Sequence, residues 1–135
     1  MIDCIILGDS IAVGTHQFRP ECVARARGGI NSWQWRKDYL EHDQGNNLVA
    51  ETVIISLGSN DHQGVKTLEE ISRIRLAVKA KRVFWILPAI KPDVQARVRE
   101  VAAGFGDTVL EINRLQPDGI HPSWAGYKNI AERTK

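Results

Sequence analysis

Long apolar runs are missing from this sequence: no stretch approaches the length of a membrane span, and Met1 leads straight into a short strand rather than into a charged-then-apolar leader. No membrane partner is expected, and the chain as it stands reads as soluble and cytoplasmic, with export left open if a leader was removed. Cysteine is scarce, and the two present, Cys4 and Cys22, make no disulfide framework. Free buried thiols are the expectation, with a bridge left open because the two fall on strands that neighbour each other. Charge of one sign is not in excess either: 18 basic against 16 acidic residues give a net charge of +2. Arg25, Arg27 and the group Lys79-Ala80-Lys81-Arg82 are expected as solvated faces and an interstrand turn. Without a dense basic stripe interleaved with aromatics, no nucleic-acid partner is expected. There is no Gly-x-Gly-x-x-Gly, no P-loop lysine pattern and no lysine placed after the fifth strand, which argues against a nucleotide site or a receiver-type domain. Internal repeats and low-complexity segments are absent as well.

What is present suffices for one core and no more. With 135 residues, 43% hydrophobic and 25% charged, residues 1–135 form a single domain. The apolar residues 4–7 end in Gly8-Asp9-Ser10, the pattern of a central strand that delivers a hydroxyl to the sheet edge, and residues 11–17 begin a helix. Residues 22–26 are a shorter, more polar strand suited to an edge. Gly28-Gly29 opens a turn before a helix over 32–40, in which Trp35 and Tyr39 stack at i and i+4 and Trp33 and Leu40 fall at i and i+7. A polar loop over 42–47 leads to residues 52–57, a near-continuous apolar run of the kind that is covered on both faces.

Thr67-x-x-Glu70 reads as a capping box, followed by Leu68, Ile71, Ile74 and Val78 at helical spacing. Residues 83–87 are the next buried strand, stopped by Pro88. Pro92 opens a helix with Val94, Val98, Val101 and Phe105 on one face and Gly104 and Gly106 near its end. Residues 108–112 make a fifth strand, and 123–133 a closing helix with Trp124, Tyr127 and Ile130 inward. Strands alternating with helices at this pace predict a three-layer α/β/α sandwich around a five-stranded parallel sheet. Right-handed crossovers leave few strand orders, and 2-1-3-4-5 puts the two most apolar strands at the centre. The loops after Leu7 and Leu57 then share the crevice at the topological switch point, where open α/β sheets bind ligands.

Those loops carry Gly8-Asp9-Ser10 and Gly58-Ser59-Asn60-Asp61, while Asp118-Gly119-Ile120-His121-Pro122 precedes the last helix. A serine is a poor nucleophile until a base takes its proton, and an imidazole serves best when a carboxylate fixes its tautomer. Asp118, three residues before His121, can supply that carboxylate locally. Asn60 offers a side-chain N–H, a Gly-Gly turn brings backbone N–H close without a Cβ in the way, and the N–H of Ser10 lies at a helix N-terminus. Each block has a plainer reading. Gly-Asp-Ser serves as a turn with an N-cap, Pro117-Asp118-Gly119 as a turn, His121 as a cap, and Gly58–Asp61 as an ordinary strand-to-helix loop. Coincidence of all four in this order is the harder explanation. Asp118 and His121 find no second Asp/His cluster to complete a metal site, so neither metal nor cofactor is expected.

Gly-Asp-Ser early, a glycine after the second strand, Gly-x-Asn-Asp after the third and Asp-x-x-His before the last helix resemble the four blocks of the SGNH, or GDSL-type, hydrolases. The resemblance runs from Gly8 to His121. It implies a flavodoxin-like sandwich and an esterase, lipase, thioesterase or carbohydrate acetylesterase activity. Residue by residue, it implies Ser10 as nucleophile and as an oxyanion donor through its own N–H, Asn60 as a second donor, His121 as general base and Asp118 as the group that orients it. Gly29 aligns with the oxyanion glycine, Gly28 being the alternative. Ile11 stands where the eponymous pattern has Leu. The chain is short for the family, with little room for a lid, so a small-molecule ester with a short acyl group, acetyl on a sugar among them, is the expected substrate. The alternative is a catalytically idle module of the same fold that binds carbohydrate or peptide. Asp9 and Asp61 are expected to hold loops together, and His16, His42 and His62 to be surface groups. Trp33, Trp35 and Trp124 belong either to the core or to the wall of an acyl or sugar pocket.

Overall fold

Apolar runs flanked by glycine and proline become the strands. The computed structural model describes residues 2–42 and 47–135; most of the expected polar loop over 42–47 therefore lies outside the described residues. In chain order the elements are β1 (Ile2–Gly8), α1 (Ser10–Phe18), β2 (Val23–Ala26), α2 (Ser32–Trp35) running into a π-helical turn (Arg36–Leu40), β3 (Val49–Ser56), α3 (Thr67–Ala77), β4 (Lys79–Ile86), α4 (Pro92–Phe105), β5 (Thr108–Leu110) and α5 (Trp124–Arg133).

The strands form one parallel sheet in the order β2-β1-β3-β4-β5. Side chains alternate across it, as the two-residue period of a strand requires. Ile5, Leu7, Val53, Ile55 and Trp85 pack with Trp35, Ile71, Ile74, Val98 and Val101 of α2, α3 and α4. Cys4, Ile6, Ile54, Phe84 and Ile86 pack on the other face with Ile11 and Ala12 of α1 and Ile130 of α5. Helices thus cover both faces, and the expected three-layer sandwich and strand order are observed.

Four local expectations are corrected. Residues 79–82 are not a turn but the first half of β4, where Lys79, Ala80 and Arg82 pair with Val49, Ala50 and Thr52 of β3. At this rim Ala80 packs on the core beside Ala50 while Lys79, Lys81 and Arg82 carry charge, and Arg82 bonds Thr52 Oγ1 while lying over the ring of Phe84. Thr67 and Glu70 do not form a capping box: Lys66 occupies the N-cap, the Thr67 hydroxyl donates to Asp61, and Glu70 pairs with Arg36. The capping box lies instead at Asn31 and Gln34, ahead of α2. Trp124 is 68% exposed rather than inward, its ring edge-on to Phe18 and beneath Lys128, and Phe105 is likewise exposed under the Arg75 guanidinium.

The cysteines are bridged. Parallel register sets Ile5 opposite Val23, so Cys4 and Cys22 face each other one residue earlier, with Cα atoms 4.8 Å apart and a disulfide joining them. Closing a loop of this length restricts the unfolded chain and is expected to stabilise the fold by about 3 kcal/mol. Thiol titration of the protein denatured without reductant should detect no free cysteine. Cys22→Ala should lower the unfolding free energy by about that amount in urea; free thiols in the titration, or an unchanged midpoint, would contradict the bridge.

Candidate active site

The site begins where β1 and β3 come closest. Gly8 has φ 139°, and a Cβ there would lie 1.8 Å from the carbonyl oxygen of Ser56, so only glycine lets the two strand ends meet. Asp9, the next residue, takes the N-cap of α1. Its backbone N–H donates to Ser56 O at 2.9 Å, and its Oδ1 accepts from Ile11 N–H at 3.0 Å and from the Ser56 hydroxyl at 2.9 Å. Ser10 is therefore the first residue of α1, held at the C-terminal edge of the sheet with its backbone N–H in the helix's first turn.

Asp9 is completely buried and its Oδ2 has no hydrogen-bond partner. Burial raises its pKa to about 6 despite the opposing hydrogen bonds from Ser56 and Ile11.

The segment after β5 brings the imidazole. Leu115 and Pro122 pair as an isolated antiparallel bridge, Gln116 N–H donates to His121 O at 2.7 Å, and Gly119 turns the chain between them at φ 71°. Within this tight loop Asp118 Oδ1 accepts from the backbone N–H groups of Ile120 and His121 at 2.8 and 3.0 Å. Its Oδ2 lies 2.8 Å from His121 Nδ1, and His121 Nε2 lies 2.9 Å from Ser10 Oγ. With Nδ1–H donating to the carboxylate, Nε2 accepts from the serine hydroxyl. The Ile120 N–H first, then the His121 side chain and N–H, hold the Asp118 carboxyl down at about 2. It is ionised at neutral pH.

The loop after β3 closes the other side. Asn60 Nδ2 donates to Ile30 O at 3.0 Å, which uses one of the amide's two N–H groups and ties it to the Gly28-Gly29 turn. Gly29 is left-handed at φ 77°, and a Cβ on Gly28 would approach Ser10 Cβ at 3.9 Å, so this turn borders the serine. Asp61 is buried, as expected of a group that joins loops: Oδ1 accepts from Ser32 N–H at 2.8 Å and Oδ2 from the Thr67 hydroxyl at 2.7 Å. Chain positions 10, 60, 118 and 121 and the glycine turn thus meet at one sheet edge. The arrangement sets a hydroxyl within hydrogen-bond distance of an imidazole that a carboxylate holds, beside a glycine turn.

Two contributors escaped sequence reasoning. Ser56 looked like part of an apolar run, and its signal was a lone hydroxyl opposite Gly8. Lys91, the residue before Pro92, carries no signal of a role in the sequence, yet its Nζ donates to the carbonyls of Ser59 and Asp61, both at 2.7 Å. Of the expected bystanders, His16 contacts Cys22 O at 2.9 Å, and His42 and His62 are exposed, His62 accepting from Gly64 N–H. Trp35 is core, whereas Trp33 is exposed beneath Lys37. A cavity of about 760 Å³ opens beside the site, starting at Asp61, with Val65, Leu68, Pro92 and Val94 among its lining; Ser10, Asn60 and His121 do not line it.

No protein-family model and no curated protein matches the sequence. Solved structures do. The chain is similar to a GDSL-like lipase from Bacteroides thetaiotaomicron, with TM-score 0.71 and 17% identity over 97% of this chain and 84% of that one. It is similar to the C-terminal catalytic domain of peptidoglycan O-acetyltransferase A from Streptococcus pneumoniae, with TM-score 0.62 and 18% identity over 96% and 88% of the two chains. An acetyl xylan esterase from Butyrivibrio proteoclasticus matches with TM-score 0.55 and 11% identity over 97% of this chain and 61% of that one. The chain has the fold of the GDSL-type hydrolases.

The Asp9 carboxyl carries a pH signature. The native state keeps its proton to about pH 6 while the unfolded chain releases it near the ordinary 3.8, so the native state binds more protons in between. Stability should therefore fall as pH rises from 4 through about 6, by on the order of 3 kcal/mol from this group, and stay lowered above. Urea midpoints from pH 4 to 8 should show this decline in the wild type and a flatter profile in Asp9→Asn. Equal slopes would contradict it.

Proposed function

We propose that the protein is a serine hydrolase that cleaves small carboxylic esters, a short acyl group or an acetyl on a carbohydrate, through an acyl-enzyme. One observation carries this reading: the continuous chain from Ser10 Oγ to His121 at 2.9 Å and from His121 to Asp118 at 2.8 Å. Ser10 Oγ attacks the ester carbonyl while His121 Nε2 takes its proton, and the Asp118 carboxylate steadies the imidazolium. The oxyanion is held by the Ser10 and Gly29 N–H groups and by the Asn60 side chain. As the tetrahedral intermediate collapses, His121 returns the proton to the departing alkoxide. Water, deprotonated by His121, then attacks the acyl-enzyme, and the acid leaves with Ser10 restored.

The substrate range rests on analogy. Two proteins of similar fold are by name an acetyl xylan esterase and a peptidoglycan O-acetyltransferase, which supports a short acyl group. A disulfide between Cys4 and Cys22 supports a proposed location in an oxidising compartment in place of the cytosol that the sequence alone suggests.

Ser10→Ala and His121→Ala should each abolish turnover of p-nitrophenyl acetate while leaving the circular dichroism spectrum unchanged. Asn60→Ala should slow it by about 10²- to 10³-fold, the scale for one oxyanion donor. Across a series of acyl esters, kcat/KM should be highest for the shortest chains. Undiminished turnover by Ser10→Ala would refute the mechanism, and a rate rising with chain length would refute the substrate class.

A further inference from the structure

We infer that Lys91 is a positioning residue for Asn60, a clamp that holds the oxyanion side chain in place from the α4 side; this rests on the hydrolase reading above. Among the described residues Lys91 is the non-glycine residue with positive φ, at φ 65° and ψ 81°. It occupies the N-cap of α4, where Ser, Thr, Asp or Asn in extended conformation would ordinarily cap the helix amides. Its side chain caps nothing in that helix. Local preference therefore disfavours both this residue type and this backbone at this position, and such violations are retained where another interaction outweighs them.

That interaction is visible. The ammonium of Lys91 donates to the carbonyls of Ser59 and Asp61, both at 2.7 Å, the residues on either side of Asn60. Two charge-assisted bonds thereby hold the Ser59–Asn60 peptide, directly before the residue that is to meet the oxyanion, and the Asp61–His62 peptide one residue beyond it. The left-handed backbone is what turns the side chain from the start of α4 back over the loop after β3. From the opposite side the Asn60 amide is tied to Ile30 O, and Asp61 is tied to Ser32 N–H and the Thr67 hydroxyl. The loop is held on three sides, and from the β4–α4 side Lys91 supplies hydrogen bonds while Pro88 and Val94 lie against Gly58. A donor must already point at the position the oxyanion will occupy, so loosening this support raises the barrier to chemistry more than it weakens ester binding.

The test is a double-mutant cycle on p-nitrophenyl acetate with Lys91→Met, Lys91→Gly, Asn60→Ala and the Asn60→Ala/Lys91→Met pair. Each Lys91 variant should lower kcat by about 10- to 100-fold, the scale of a small misplacement, with KM within about twofold. In the Asn60→Ala background the Lys91→Met change should cost less than about threefold, because the group it positions is gone. Lys91→Gly removes the clamp while suiting the left-handed backbone, so it should unfold at the same or higher urea concentration than Lys91→Met yet be no faster; a purely structural role would have glycine recover the rate. A loss of equal size with and without Asn60, or an unchanged kcat, would overturn the inference. Amide hydrogen exchange across residues 58–61 reads the clamp without turnover: it should speed up in both Lys91 variants, and unchanged exchange would also overturn it. Absence of Ser10-dependent turnover in the wild type would strike at the hydrolase reading instead, with the exchange measurement still deciding whether Lys91 holds the loop.

Discussion

Everything at the site hangs on the contact between the ends of β1 and β3. Gly8 admits the Ser56 carbonyl to a distance no side chain would allow, and Asp9 binds the same residue through both its backbone and its carboxylate. This pair fixes where the chain leaves the sheet and enters α1, and hence where the Ser10 hydroxyl stands. Burial of a carboxylate with one unpartnered oxygen is costly, and the fold tolerates it because the other oxygen organises both a helix cap and a strand end. The stability given up at neutral pH is the counterpart of a serine held in one place.

Around that fixed point the remaining groups arrive on loops, each braced twice. The imidazole rides on a short segment whose carboxylate is anchored to backbone N–H groups before it reaches the ring, so orientation precedes chemistry. The amide of Asn60 is tied to the glycine turn, its neighbour Asp61 to two helices, and the carbonyls of Ser59 and Asp61 to Lys91. Loops braced in this way resemble the scaffold more than flexible connections, which suits the proposed oxyanion donors, since such groups act best when aimed beforehand.

How much of this the sequence disclosed depends on whether the governing interaction is local. Strand ends were legible because apolar runs stop at Gly8, Gly58 and Pro88, and the strand order followed because covered strands lie at the centre. The candidate site residues stood out because Ser10, the Gly28-Gly29 turn and Asn60 sit in short blocks just past strands, and Asp118 and His121 share one short block ahead of α5. Features decided by distant partners were not. Thr67 looks like a cap until Asp61 claims its hydroxyl, and residues 79–82 look like a turn until β3 offers them a backbone to pair with. Cys4 and Cys22 look like separate thiols until the register of two parallel strands sets them face to face. Lys91 is the extreme case: nothing in its neighbourhood along the chain hints at carbonyls thirty residues earlier.

The central claim is that one serine hydroxyl, one imidazole and several N–H donors surround a single reacting centre. Its most direct measurement is a crystal structure of the protein after reaction with a fluorophosphonate, which leaves a tetrahedral phosphonyl group in place of the carbonyl intermediate. The account predicts a covalent bond from phosphorus to Ser10 Oγ, with the phosphonyl oxygen about 3 Å from the Ser10 and Gly29 N–H groups and Asn60 Nδ2. An adduct on any other residue, or a Ser10 adduct whose oxygen turns away from all three donors, would contradict it.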